Sequence, residues 1–208
     1  MADLLRKARG RIGAWVPGSK AAHSAWIVVR WRVRGSPVPP PHIVKRMAVR
    51  RYARRYRLGA LVETGTFMGQ MILGTSRRFR RVYSIELDSD LAARATEMFS
   101  YHSNVQVLQG DSGERVAEVL SQLDGPALFW LDAHYSEGVT ALGRDETPIL
   151  RELAHILEDP RDHVLLVDDA RDFVGGAYPS MDELQKFVEE RRPGYRVEVA
   201  DDIIRIHR

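Results

Sequence analysis

The chain has 208 residues, 44% hydrophobic and 28% charged, with a net charge of +3 and no cysteine. That length carries one α/β domain with an appendage and a sizeable core, and the absence of cysteine excludes disulfides, thiolate metal sites and cysteine nucleophiles. No apolar run reaches bilayer-spanning length, and the opening MADLLRKARGRIGAW lacks the apolar stretch of a secretory signal, so a cytoplasmic location is expected.

The small net charge conceals an asymmetry. Residues 1–57 hold fifteen Lys/Arg against one acid, Asp3, and carry +14, while residues 58–208 carry −11. A basic arm on an acidic body implies an anionic partner for the arm, or an arm packed on that body or on a second subunit.

In residues 1–35, Arg alternates with Trp15, Trp26, Trp31 and the apolar stretch Ala25–Val29, which predicts one or two short amphipathic segments. Ser36-Pro37-Val38-Pro39-Pro40-Pro41 then breaks regular structure, because proline fixes φ and restrains the residue before it. Residues 1–41 are therefore read as a basic arm with a proline-rich linker, and 42–208 as the main domain. Apolar residues at Ile43, Met47, Val49 and Tyr52 predict a helix from Ile43 to Tyr56.

From Leu58 short apolar runs alternate with helical stretches. Strands are predicted at 60–63, 81–86, 105–109, 127–132, 164–168, 196–200 and 203–207, and helices at 69–79, 90–100, 113–122, 146–158 and 180–191. This alternation predicts a Rossmann-like, doubly wound, seven-stranded α/β sheet that is mostly parallel. Only Asp201-Asp202 separates the last two strands, which must form an antiparallel hairpin.

Ligands of such sheets bind beyond the carboxyl ends of the strands. The first strand runs into Glu63-Thr64-Gly65-Thr66-Phe67-Met68-Gly69. Its glycines allow a tight turn and close approach of a ligand. The spacing is not the dinucleotide G-x-G-x-x-G, and the leading acid suits an ammonium group better than a pyrophosphate. The second strand ends at Glu86, placed for ribose hydroxyls, with Asp88 and Asp90 as a turn and helix cap. The third ends in Gly110-Asp111-Ser112, read either as an adenine-amine contact or as a helix N-cap.

With ETGTxxG, SIELD and QGDS in this order, roughly residues 45–208 resemble the class I S-adenosylmethionine-dependent methyltransferases. The resemblance implies that Glu63, Thr64, Gly65 and Gly69 cradle the methionine part of S-adenosylmethionine. It places Glu86 on the ribose, and Asp111 and Ser112 on the adenine.

The fourth strand ends in Leu131-Asp132-Ala133-His134-Tyr135 and the fifth in Val167-Asp168-Asp169. Adjacent parallel strands would bring Asp132, Asp168 and Asp169 together, and three such carboxylates repel unless a cation joins them. Oxygen ligands suit Mg²⁺ or another divalent cation; the alternative is that Asp169 caps a turn and Asp132 alone faces the cofactor, as a cofactor-binding residue. These motifs resemble the metal sites of catechol-type and macrolide-sugar O-methyltransferases, except that no lysine base follows Asp132. His134 stands there instead, a candidate general base beside the catalytic Asp132. The long connection 135–147 is a candidate lid, and 172–180 a candidate opposite wall.

The stretch YSEGVTALGRDETPILREL resembles small O-methyltransferases of sugar and polysaccharide biosynthesis, such as the mycobacterial type acting on O-1 of methylmannose polysaccharide. The expected activity is methyl transfer to a hydroxyl of a sugar or oligosaccharide acceptor. Two alternatives are an RNA methyltransferase using the basic arm and a membrane-surface or scaffolding protein with a non-catalytic α/β domain. The acidic body argues against nucleic acid as a partner. A homodimer through the N-terminal arm, or peripheral membrane contact by it, is also expected.

Overall fold

The computed structural model describes residues 19–132 and 148–208; His134 and the candidate lid 135–147 lie outside the described residues. In chain order the elements are α1 (Ser19–Val33), α2 (His42–Arg55), β1 (Ala60–Thr64), α3 (Gln70–Thr75), β2 (Arg81–Glu86), α4 (Ser89–Met98), β3 (Val105–Gln109), α5 (Ser112–Gln122), β4 (Ala127–Leu131), α6 (Pro148–Glu158), β5 (Val164–Val167), α7 (Met181–Arg191), β6 (Arg196–Ala200) and β7 (Ile203–His207).

The seven strands form one sheet in the order β3-β2-β1-β4-β5-β7-β6. All neighbours from β3 to β5 pair in parallel, and β7 runs against β5 and β6. Period-two alternation sends side chains to two apolar layers. Val62, Ile85, Phe129, Leu131 and Leu165 face α5, α6 and α7. Leu61, Val82, Leu128, Trp130 and Leu166 face α2, α3 and α4. Strands buried on both faces read as continuous apolar runs, which is why their sequence boundaries are nearly correct.

Most boundaries agree within about two residues, and the differences that bear on the site are these. The helix expected over 69–79 is α3, only Gln70–Thr75, continued by a 3₁₀ turn at Ser76–Arg78. Gly69 has φ of +66°, outside the helical region, so it precedes the helix rather than joining it. The fourth and fifth strands stop at Leu131 and Val167, leaving Asp132, Asp168 and Asp169 on the turns beyond. In the described part of the arm, α1 is a single 15-residue helix.

The last hairpin turns on Asp201 and Asp202, at φ of +57° and +61°. Two left-handed central residues match a tight turn to the twist of its strands. Helix α2 is fastened across this edge of the sheet. Tyr52 Oη donates to Glu198 Oε1 at 2.8 Å, and Tyr56 Oη lies 2.9 Å from His207 Nδ1. The basic segment thus packs in part on the body, where Arg32 pairs with Asp201 at 2.9 Å. This docking fixes which side chains of α2 reach the carboxyl ends of β4 and β5.

Candidate functional site

Strand order reverses direction at β1, whose neighbours are β2 and β4, and a cavity of about 600 Å³ opens at the carboxyl ends there. That volume suits a cofactor-sized ligand with a small acceptor. The turn after β1 forms one wall. Gly65, Phe67 and Gly69 all adopt positive φ, of 79°, 46° and 66°. At Gly65 a Cβ would also come within 3.1 Å of Asp132 Cβ, so this position requires glycine for both conformation and space.

The sequence-predicted cofactor residues Glu63, Thr64, Gly65, Glu86, Asp111, Ser112 and Asp132 all line this cavity, whereas Gly69 caps α3 beside it. Glu86 shapes the turn by accepting from Phe67 N at 2.7 Å and Asp88 N at 3.1 Å. Asp88 caps α4, accepting from the backbone of Asp90 and Leu91. Asp111 likewise caps α5, accepting from Gly113 N at 2.7 Å, and it also pairs with Arg151 at 3.3 Å. The cap reading of Asp111 is therefore realised together with its place on the cavity wall.

Glu63 is fully buried and accepts from Ser84 Oγ at 2.6 Å. Burial pushes its carboxyl from 4.5 to about 8, against that hydrogen bond, with help from the Asp132 and Glu86 charges. Glu152, on α6, is a second buried carboxyl, which accepts from Ser112 Oγ and lies 3.4 Å from Thr64 Oγ1. Burial raises it to about 7. Glu63 thus keeps its proton at neutral pH and Glu152 titrates around it, in a wall that would otherwise concentrate negative charge.

At the adjacent ends of β4 and β5, ligand oxygens of Asp132, Asp168 and Asp169 lie within 4.8 Å of one another. Two protein cations already join this cluster. Lys45 Nζ, from α2, donates to Asp168 Oδ2 and lies 3.6 Å from Asp169 Oδ1. Arg171 Nη1 donates to Asp169 Oδ1 at 2.7 Å and also to Asp202. Asp169 is held in the left-handed region at φ of +56°, a conformation that costs energy in a non-glycine residue and collects at functional sites.

Lys45 and Asp168 both shift upward. Burial lowers the ammonium, but the hydrogen bond and charge of Asp168 outweigh it, so Lys45 sits above its usual value. Burial raises Asp168 to about 6 against the hydrogen bond and charge of Lys45, and the charges of Asp169 and Asp132 add to the rise. The pair is ionised at neutral pH, and Asp168 protonates as pH falls through about 6. For a divalent cation the three carboxylates are a fitting donor set of hard oxygens, with the Lys45 ammonium sharing their space.

Lys45, Arg171, Glu152 and His42, which lines the same cavity, were not evident from strand-end motifs. His42 opens α2; burial and the charges of Lys45 and Arg46 hold its imidazole below 6.5, so it is neutral at pH 7. Phe67, Trp130 and Tyr178 also line the cavity.

No protein-family model and no curated protein matches the sequence. Structural likeness is extensive. An O-methyltransferase of Bacillus cereus, solved with S-adenosylhomocysteine, superposes with a TM-score of 0.57 at 11% identity, over 98% of this chain and 96% of that one. A methyltransferase of Podospora anserina, also bound to S-adenosylhomocysteine, gives 0.53 at 16% identity, over 99% and 94%. The fold is that of the class I methyltransferases. In it, the cavity described above lies at the carboxyl edge beside β1, and the acidic cluster shares its rim.

Two predictions test the electrostatics of this methyltransferase fold. Replacing Lys45 by Met leaves buried carboxylates without their cation and is expected to cost about 3 kcal/mol, read by urea denaturation at pH 7.5. An unchanged midpoint would mean that Lys45 does not neutralise the cluster. The second concerns Glu63, which keeps its proton in the folded chain up to about pH 8 but loses it near 4.5 when unfolded. The native state binds more protons across that window, so this group withdraws stability as pH rises. Between pH 6 and 8.5 the melting temperature should fall, and fall less in Glu63→Gln; equal slopes would contradict the assignment.

Proposed function

We propose that this protein transfers the methyl group of S-adenosylmethionine to a hydroxyl of a sugar or oligosaccharide acceptor, with a divalent cation at Asp132, Asp168 and Asp169. The observation that carries the reading is one cavity lined by Glu63, Glu86 and Asp111-Ser112, from three consecutive strand ends, with the carboxylate cluster on its rim. The S-adenosylhomocysteine held by two proteins of the same fold supports the donor.

In this reading Glu63 meets the methionine ammonium, whose charge favours loss of the Glu63 proton. Glu86 accepts from the ribose, and the Asp111-Ser112 corner meets the adenine. Held by these residues, S-adenosylmethionine would supply its methyl group to an acceptor at the β4–β5 rim. The acceptor hydroxyl oxygen attacks the methyl carbon in line, the carbon–sulfur bond breaks, and its electron pair returns to sulfur as a neutral thioether. Asp132, Asp168 and Asp169 would hold a divalent cation, whose Lewis acidity would ease ionisation of that hydroxyl. A general base accepts the hydroxyl proton. His134 is proposed from the sequence, and His42 is the described histidine that faces the cavity, neutral and able to take a proton. Carboxylates and Arg171 on the rim offer hydrogen-bonding partners suited to a polyol.

The test is methyl transfer from labelled S-adenosylmethionine to a panel of mono- and oligosaccharides. Turnover is expected with Mg²⁺, to fall at least about 100-fold in excess chelator or in Asp168→Ala, and to return on adding Mg²⁺ to the chelated wild type. Full turnover in chelator would remove the cation from the reading and leave methyl transfer standing. Alanine at the true base, His42 or His134, should lower kcat by about 10²-fold or more with little change in affinity for S-adenosylhomocysteine. Transfer to RNA but to no saccharide would replace the acceptor assignment.

A further inference from the structure

Helix α1 has two apolar sides, and only one is used. Trp31 is buried, its indole nitrogen donating to Pro37 O at 2.7 Å, and Ile27 and Val28 are half-buried beside it. At about 100° per residue, Ala22, Trp26, Val29 and Val33 fall together on the opposite side, within about 60° of arc. All four are exposed, with Trp26, Val29 and Val33 at 55%, 59% and 82%. Basic residues flank the stripe: Arg32 on one side, His23 and Arg30 on the other. The Arg30 guanidinium stands 5.1 Å over the Trp26 ring. Residues 19–57 as a whole contain eleven Lys/Arg and no acid.

We propose that this outer face of α1 docks the protein on an anionic lipid surface, with Trp26, Val29 and Val33 entering the headgroup–acyl boundary and arginines contacting lipid phosphates. A tryptophan with an apolar body and a polar N–H suits that boundary, and a helix with an apolar stripe between basic flanks lies in its plane. No helix among the described residues is long and apolar enough to cross a membrane, so the contact is peripheral.

Charge and size select this occupant. Pairing α1 with its copy would set one acid-free, arginine-flanked helix against another, and four side chains, one an alanine, fall well short of the roughly 800 Å² per partner typical of stable dimers. Nucleic acid would use the arginines but leave Val29 and Val33 exposed. An anionic bilayer uses both, since its surface potential draws the basic segment and its interior takes the apolar stripe.

The experiment is flotation of the full chain with vesicles of phosphatidylcholine alone or with about 30 mol% phosphatidylserine, whose charge makes the surface potential negative. The wild type is expected to bind the anionic vesicles at least about tenfold more tightly than the neutral ones. Val29→Asp/Val33→Asp should lose at least about tenfold of that binding, and Arg30→Gln/Arg34→Gln should also weaken it. Circular dichroism and sedimentation velocity on both variants establish that they remain folded and keep the wild-type association state. Equal binding to neutral and anionic vesicles overturns the proposal, as does binding that survives in the aspartate variant. A wild-type dimer that the aspartates dissociate would assign the stripe to a second copy, and RNA binding with no vesicle binding would assign the arm to nucleic acid; each also overturns it.

Discussion

The junction of β4 and β5 gathers three carboxylates whose oxygens lie within 4.8 Å, and the placement of the surrounding parts answers that concentration of charge. Like charges this close in a partly buried site need a counter-charge or a proton. The structure supplies both. Lys45 reaches in from α2, Arg171 bridges Asp169 to the hairpin residue Asp202, and burial keeps the neighbouring Glu63 protonated at neutral pH and raises Glu152 to about 7. The docking of α2 through Tyr52 and Tyr56, and the left-handed hairpin at Asp201-Asp202, can be understood as what delivers these two cations to the site.

The frame of the fold was legible in the sequence because its central strands are buried apolar runs, its edge strands β3 and β6 alternate apolar and polar residues, and polar turns bound them all. Strands at 81–86, 105–109, 196–200 and 203–207 coincide with the observed ones. The glycine turn and strand-end acids were legible for the same reason: in a parallel sheet every strand end points to one edge, so linear order becomes spatial proximity. Gly69 misled slightly, since its positive φ excludes it from the helix it precedes.

What the strand ends could not reveal came from helices. Lys45 is one of seven basic residues between 45 and 57, and charge alone does not single it out. Its position does: Lys45 shares a helical stripe with the buried Ala48, Val49 and Tyr52, where an apolar residue would be expected. Glu152 likewise interrupts the apolar stripe formed by Ile149, Leu153 and Ile156. A charged residue on an otherwise buried helical face is the signal that was available. His134 and the candidate lid 135–147 lie outside the described residues, so the catalytic role of His134 stands as a proposal from the sequence.

The central claim is that the cavity beside β1 is built for S-adenosylmethionine. Its most direct test is titration calorimetry of S-adenosylhomocysteine into the wild type and into Glu86→Ala. The account predicts saturable one-to-one binding by the wild type, weakened at least about tenfold when the ribose acceptor is removed. No binding by correctly folded wild-type protein, or equal affinity in the two proteins, would contradict it.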